Sequence, residues 1–293
     1  MKVVIIGSNG QLGYDLMRIF RVNHETIGLT HQDIEVSDRD SCTILRDIKP
    51  DVIINTAAFH NVPACEENPE KAFLVNAIGA KNVADISLEI NAITVYISTD
   101  YVFDGTKKEP YTESDPPNPL NAYAISKLAG EYFTKYNPKH YIVRVASLFG
   151  VVGSRAKGGT NFVETMIAKA RRNEEIKVVN DVWMSPTYTY DAARAIRKII
   201  EKCLPYGIYH VVNSGYCTWY EFAKEIFNQL GLSQQVIPVS SEEFPSKVRR
   251  PKFSALKSEK LEKYGIILRH WKEALNAYLA EKGYMKKEWR LSK

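Results

Sequence analysis

"KVVIIGSNGQLG", residues 2–13, decides the architecture of this 293-residue chain. A nearly unbroken apolar run enters a turn holding Gly7, Gly10 and Gly13, and "YDLMRIF" behind it has helical periodicity. A strand buried on both faces reads as continuous hydrophobicity, because neither side meets water. The glycines then have separate tasks: a tight bend, a close backbone approach to an anion, and close packing of helix on strand. With a helix N-terminus aimed at the turn, the stretch predicts a dinucleotide pyrophosphate site.

Working outward, similar β-rich runs recur as "ETIGL" (25–29), "DVIIN" (51–55), "AITVYIS" (92–98) and "HYIVRV" (140–145). Helical patterns lie between them, near 11–21, 39–48, 68–90 and 121–136. Such alternation predicts an α/β fold with a doubly wound, Rossmann-type parallel sheet. After Gly150 the pattern loosens into the Gly-rich "GVVGSRAKGGT" and a helix at about 161–173. "KVVND" (177–181) and "GIYHVV" (207–212) read as further strands of the main sheet, with a helix at about 189–203 between them. From about 214 onward, helical and loop segments predict a smaller C-terminal substrate lobe over the strand ends. The expected division is therefore 1–150 plus about 176–213 for the dinucleotide-binding domain, and about 151–175 plus 214–293 for the lobe.

Composition narrows the function. With 45% hydrophobic and 25% charged residues the chain reads as an ordinary globular protein. No apolar run approaches the roughly 20 residues that cross a bilayer, and the N-terminus enters a strand directly. Neither signal peptide nor membrane anchor is expected, and the reading is cytoplasmic. A net charge of +5 suits small anionic partners but lacks the clustered basic face of a nucleic-acid binder. The basic "KKEWRLSK" at the end reads as a solvated tail. The four cysteines form no CxxC pair and the six histidines no HExxH, so reduced thiols and no metal site are expected.

Chemistry enters with "NAYAISKLAG" (121–130), where Tyr123 stands four residues before Lys127. Both side chains share one helical face, so a phenol and an ammonium meet a common third molecule. A phenol has a pKa of about 10, and an adjacent ammonium together with an oxidised nicotinamide stabilises its phenolate. Lys127 is expected to lower that pKa and to hold the nicotinamide ribose. "ISTDYVFDG" places Thr99 at the C-terminal end of a strand, where open α/β sheets carry their sites. Thr99 would orient a substrate carbonyl, Tyr123 transfer the proton and the cofactor the hydride. After the second strand, "LTHQD" has no acid at Thr30 or His31 to meet a ribose 2′-hydroxyl, which favours NADP(H), with NAD(H) open. Asp33 either borders the adenine or closes a turn before "IEVSD".

The turn's G-x-x-G-x-x-G spacing resembles that of extended short-chain dehydrogenases. Together with "DVIINTAA", "NPEKAFLVNAIGAKNVA", "STDYVFDG", "PLNAYAISKLAGE", "NFVETM", "SPTYTYDAA", "TWYEFA" and "RRPKFSALKSEKL", it resembles the dTDP-4-dehydrorhamnose reductase family, from residue 1 to about 280. That resemblance implies reduction of the C4 ketone of a nucleotide-linked 4-keto-6-deoxyhexose by a nicotinamide cofactor. It implies Thr99, Tyr123 and Lys127 as the catalytic set. It places Gly7, Asn9, Gly10, Gln11, Leu12 and Gly13 at the pyrophosphate, Asp33 and Ile34 at the adenine side, and Ala57, Ala58 and Asn76 along the cofactor. Asp100, Val102, Asn161 and Arg250 would serve the substrate. A homodimer is compatible with it.

Three departures touch the sugar. Ser147 in "VRVASLFG" stands where the family has tryptophan, Pro63 and Ala64 replace an Asp-Lys pair, and Met184 precedes "SPT". Scaffold and hydride chemistry survive these changes, whereas the exact sugar does not follow. Arg155, Lys157, Arg249, Arg250 and Lys252 are candidate diphosphate clamps, with solvated surface charge as the alternative. Trp183 and Trp219 read as packing residues ahead of base-stacking ones. Two rivals remain: a sugar-nucleotide epimerase or dehydratase on the same scaffold, and a non-catalytic NADP-binding regulatory subunit like that of methionine adenosyltransferase. Elimination needs an adjacent acid and base, and here Tyr101 follows Asp100.

Overall fold

The structure, a computed structural model, describes residues 1–154, 158–244, 246 and 248–285. Six parallel strands form the central sheet: β1 (Lys2–Ile6), β2 (Glu25–Leu29), β3 (Val52–Asn55), β4 (Ile93–Thr99), β5 (His140–Val145) and β6 (Gly207–His210). Their spatial order is β6–β5–β4–β3–β1–β2. The chain leaves β1 for β2 on one side and returns for β3 on the other. A crevice therefore opens at the carboxyl ends of β1 and β3, the switch point where such sheets bind ligands.

Alternation along each strand explains the unbroken hydrophobic runs. Val3 and Ile5 pack with Leu16 and Phe20 of α1 (Gln11–Phe20) and Ile196 and Ile199 of α5 (Thr189–Glu201) on one face. Val4 and Ile6 pack with Val83 and Ile86 of α2 (Gly79–Glu89) on the other. Both sheet faces are covered, as an all-parallel sheet requires.

The pattern expected as one helix over 68–90 is three pieces: Pro69–Phe73, a π-helical turn Leu74–Ile78, and α2. The wide turn offers the Asn76 carbonyl to the buried Tyr96 hydroxyl at 2.8 Å. It also touches α3 (Ala122–Thr134) at Gly130, where a Cβ would lie 2.3 Å from the Asn76 carbonyl oxygen.

A second core forms over the strand ends. It joins Phe149, Val163 and Ile167 of α4 (Phe162–Arg171), Phe222 and Ile226 of α6 (Trp219–Leu230), and Trp271 and Leu275 of α7 (Trp271–Glu281). One expectation is corrected here. Lys177–Val179 is not a strand of the main sheet but pairs in parallel with Ile237–Val239. Ile176 and Val178 point into the second core while Lys177 faces outward, so this short run has only one buried face and belongs to the lobe.

Candidate active site

A cleft of about 1310 Å³ runs over the carboxyl ends of the central strands, between the sheet body and the second core. Gly7, Asn9, Gly10, Gln11, Leu12 and Gly13 line one end of it. Gly7 has φ +78°, and its N–H and that of Ser8 donate to Leu29 O at 2.8 and 3.1 Å, which folds the turn against β2. Gly10 is the N-cap of α1 and no side chain caps it, so first-turn N–H groups face the cleft. A Cβ on Gly13 would sit 2.1 Å from Gly7 O, so only glycine lets the helix pack this close. Gln11 donates Nε2 to Leu148 O at 3.0 Å, whereas its Oε1 is buried without a partner among the described residues. An uncapped helix start and a glycine cradle, both presenting backbone N–H groups, fit a bound dinucleotide phosphate.

Ala57, Ala58 and Ile34 line the cleft as expected. Asp33 does not. Its Oδ2 accepts from Thr30 N and Oγ1 at 2.8 and 2.7 Å, so it closes the turn after β2, and these hydrogen bonds hold its carboxyl below the usual range. The acid that does reach the cleft wall there is Glu35, whose carboxylate accepts from Ser37 N and Oγ. Asn76 is likewise corrected: it is fully buried, accepts from Phe59 N at 2.8 Å and donates to Phe59 O and Ser126 Oγ. It pins the loop after β3 to α3 and lies outside the cleft lining.

Thr99, Tyr123 and Lys127 share the middle of the cleft. Thr99, at the end of β4, stands by the Tyr123 hydroxyl, donates to Asp100 Oδ1 at 3.0 Å and accepts from Tyr101 N. Burial pushes the Tyr123 phenol above its ordinary value; the Thr99 hydroxyl opposes this and the Asp100 charge reinforces it. In the protein alone, desolvation is the dominant influence on this phenol. Lys127 is 2% exposed, with Nζ 4.0 Å from the Tyr96 ring centroid, and burial pulls its ammonium down to about 7 against the charge of Glu131. The helix carrying both is fixed at its start by Asn121, which accepts from Ala124 N at 3.0 Å and donates to Arg249 O at 2.9 Å.

Asp100 lines the cleft and is 4% exposed. Burial raises its carboxyl to about 6 despite hydrogen bonds from Ser254 Oγ at 2.5 Å and Thr99. Arg250 faces the same space, and its charge opposes the burial that pushes Tyr101 up to about 12. Tyr101 in turn stands edge-on to Tyr123 at 6.2 Å. Val102 is corrected: it is fully buried in the cluster of Phe103, Tyr111 and Leu256 and does not line the cleft. Asn161 borders the cleft, but its amide caps α4 and donates to Gly150 O and Tyr278 Oη, which leaves it no N–H for a substrate. Ser147 lines the cleft in a left-handed conformation, φ +42°. Trp219 lines the far end beside Phe162, rings 4.7 Å apart, while Trp183 lies outside with Tyr216 and Phe253. Lys252 pairs with Asp181, the Arg249 side chain is exposed, and Arg155 and Lys157 lie outside the described residues.

Sequence reasoning missed Asn121, Ser254 and Glu131. Asn121 had a local signal, an asparagine directly before a helix. Ser254 had none, because its partner Asp100 is 154 residues away.

The family model described as "RmlD substrate binding domain" matches residues 1–283. The spore coat polysaccharide biosynthesis protein SpsK of Bacillus subtilis (strain 168) is 42% identical over 284 residues, covering 96% of this chain and 98% of its own. The crystal structure of a dTDP-4-dehydrorhamnose reductase from Clostridium acetobutylicum ATCC 824 is 43% identical with a TM-score of 0.92, covering 97% of this chain and 100% of that one. A dTDP-4-dehydrorhamnose reductase from Bacillus anthracis str. Ames, in complex with NADP, is 39% identical with a TM-score of 0.90, covering 96% and 99%. Sequence and fold agree over nearly the whole length, and the chain belongs to the dTDP-4-dehydrorhamnose reductase family.

Proposed function

We propose that this protein uses NADPH, with NADH as a secondary donor, to reduce the C4 ketone of a nucleotide-linked 4-keto-6-deoxyhexose in deoxysugar nucleotide synthesis. The observation that carries the reading is the convergence of Thr99, Tyr123 and Lys127 in one cleft with an uncapped glycine turn. Reductases of this family and the NADP complex of the Bacillus anthracis relative support it. When bound, the reduced nicotinamide supplies hydride to the carbonyl carbon.

This chain's residues do the rest. A reductase must deliver a proton to the carbonyl oxygen, so its acid has to be protonated at the start. The Tyr123 phenol, whose ordinary pKa is about 10, carries that proton at neutral pH. Thr99 directs the carbonyl towards Tyr123, and Lys127 stabilises the phenolate left behind and holds the cofactor ribose. Gly7, Asn9, Gly10, Gln11, Leu12 and Gly13 bind the pyrophosphate, Ile34, Ala57 and Ala58 border the cofactor, and Asp100 and Arg250 face the sugar nucleotide. The sheet body thus serves the dinucleotide and the lobe over the strand ends the substrate. Against dehydration, Asp100 is bonded by Ser254 and Thr99 and is followed by a tyrosine, so no adjacent acid–base pair is free. Four unpaired cysteines fit a cytoplasmic setting.

The test follows NADPH absorbance with a panel of 4-keto-6-deoxy sugar nucleotides. Tyr123→Phe is expected to slow turnover by about 10²–10⁴-fold while NADPH binding persists. Near-normal turnover in that variant overturns the assignment.

A further inference from the structure

One turn beyond Lys127, α3 carries a second buried charge that the chemistry above leaves without a task. Glu131 is 1% exposed. Its Oε1 accepts from Ser98 Oγ at 2.6 Å and Arg144 Nε at 2.9 Å, and its Oε2 from Arg144 Nη2 at 2.7 Å. Arg144 is equally buried, with its guanidinium 5.1 Å from the Phe103 ring centroid. Ser98 precedes Thr99 on β4 and Arg144 lies on β5, so one carboxylate fastens the catalytic helix to two central strands. For stability alone this is a weak device, because desolvating both charges offsets most of their attraction. Its position suggests a different use.

Residues four apart on a helix face the same way, and Lys127 and Glu131 are both shut off from water. The titratable groups facing Lys127 are the Cys65 thiol from Val62–Glu67, Tyr96 from β4, and Tyr123 and Glu131 from α3 itself. Asp100 stands further off, acting on Tyr123, and Arg144 acts on Glu131. Among them Glu131 is the carboxylate that bears on the ammonium, and its charge is the largest influence opposing the burial of Lys127. Two strands clamp it, so it cannot turn away to water.

We propose that Glu131, clamped by Arg144 and Ser98 one helical turn from Lys127, is a positioning residue whose fixed charge keeps Lys127 cationic in the cleft. The inference rests on the reductase reading, through the role of Lys127 there.

The test records kcat/KM and the NADPH dissociation constant across about pH 5.5 to 9 for wild type, Glu131→Gln and Glu131→Asp. In Glu131→Gln the alkaline limb of both profiles moves to lower pH by about one unit, a loss of roughly tenfold at about pH 8 and little at about pH 6. Glu131→Asp, which keeps the charge, keeps the limb near its wild-type place. A purely structural role lowers the rate evenly across pH, and an unmoved limb in folded Glu131→Gln overturns the proposal. Should that variant not fold, Glu131→Gln/Arg144→Met replaces the ion pair by neutral groups of similar volume. Its limb is expected to shift in the same direction but by less, since the carboxylate is lost together with the guanidinium that partly offsets it. If wild type consumes no NADPH with any keto-sugar nucleotide, the reductase reading fails instead. The pH dependence of NADPH dissociation then decides the Glu131 inference by the same limb.

Discussion

At Gly13 a single methyl group separates a working turn from a blocked one. The added Cβ would meet the Gly7 carbonyl at 2.1 Å and the backbone of Ser8 at 2.9 Å, neither of which is the end of a flexible side chain. Gly13→Ala is expected to push α1 away from β1, destabilising the fold by about 1–3 kcal/mol. NADPH affinity should fall at least tenfold. Thermal melting and fluorescence titration check the two effects, and an unchanged dissociation constant would remove the turn from the cofactor site. Residues of this kind were legible beforehand, since glycine, threonine, tyrosine and lysine sit at spacings that only a strand–turn–helix or one helical face explains. Asp33, Asn76 and Val102 were not. Asp33 satisfies its own turn, Asn76 has its partners at Phe59 and Ser126, and the short helical turn Asp100–Val102 swings Val102 into the core. A buried polar group's partner is a fact of tertiary structure, and motif position alone does not disclose it.

Helix α3 shows how an element carries chemistry. Its N-terminus is held from three directions: Asn121 caps Ala124 N, Glu66 Oε2 accepts from Ala122 N at 2.9 Å, and Asn121 Nδ2 reaches Arg249 O. Asn121→Ala removes the cap and the bridge together. It is expected to cost about 1–2 kcal/mol in stability. Because the bridge also holds the backbone next to Arg250, which faces the cleft, KM for the sugar nucleotide should rise severalfold while the cofactor's dissociation constant stays put. Urea titration and steady-state kinetics test this, and equal weakening of both ligands would count against it. Elements of the main sheet were readable to within a few residues, because strands buried on both faces and long amphipathic helices leave unambiguous patterns. Shorter ones were not. Lys177–Val179 is three residues long and its sheet partner, Ile237–Val239, lies some sixty residues on. The break in the helix over 68–90 came from a π-helical turn that hydrophobic spacing does not mark.

The molecule as a whole meets itself at the edge strand β6, where His210 is fully buried. Its Nδ1 lies 3.1 Å from both the Tyr111 and Lys257 carbonyls, joining the sheet to the segment that leads into the lobe. Burial, with the Arg144 charge behind it, pulls this imidazole down to about 3. A depressed pKa on a cationic group means that the unfolded chain binds the extra proton first. Stability is therefore expected to fall as pH drops from about 6.5, the free imidazole value, towards about 3. Urea midpoints against pH should slope through this window in wild type and flatten in His210→Gln; parallel slopes would exclude His210 as the cause. The stretch 249–256 has a further consequence. Within it Arg249 O is bonded to the helix bearing the phenol, Lys252 O accepts from Trp183 N at 2.8 Å, and Ser254 bonds the carboxylate beside the threonine. An outward swing of the upper half must either drag the reacting groups along or sever those ties. The seating of this stretch and the alignment of the groups around Thr99 and Tyr123 therefore hang on the same few hydrogen bonds.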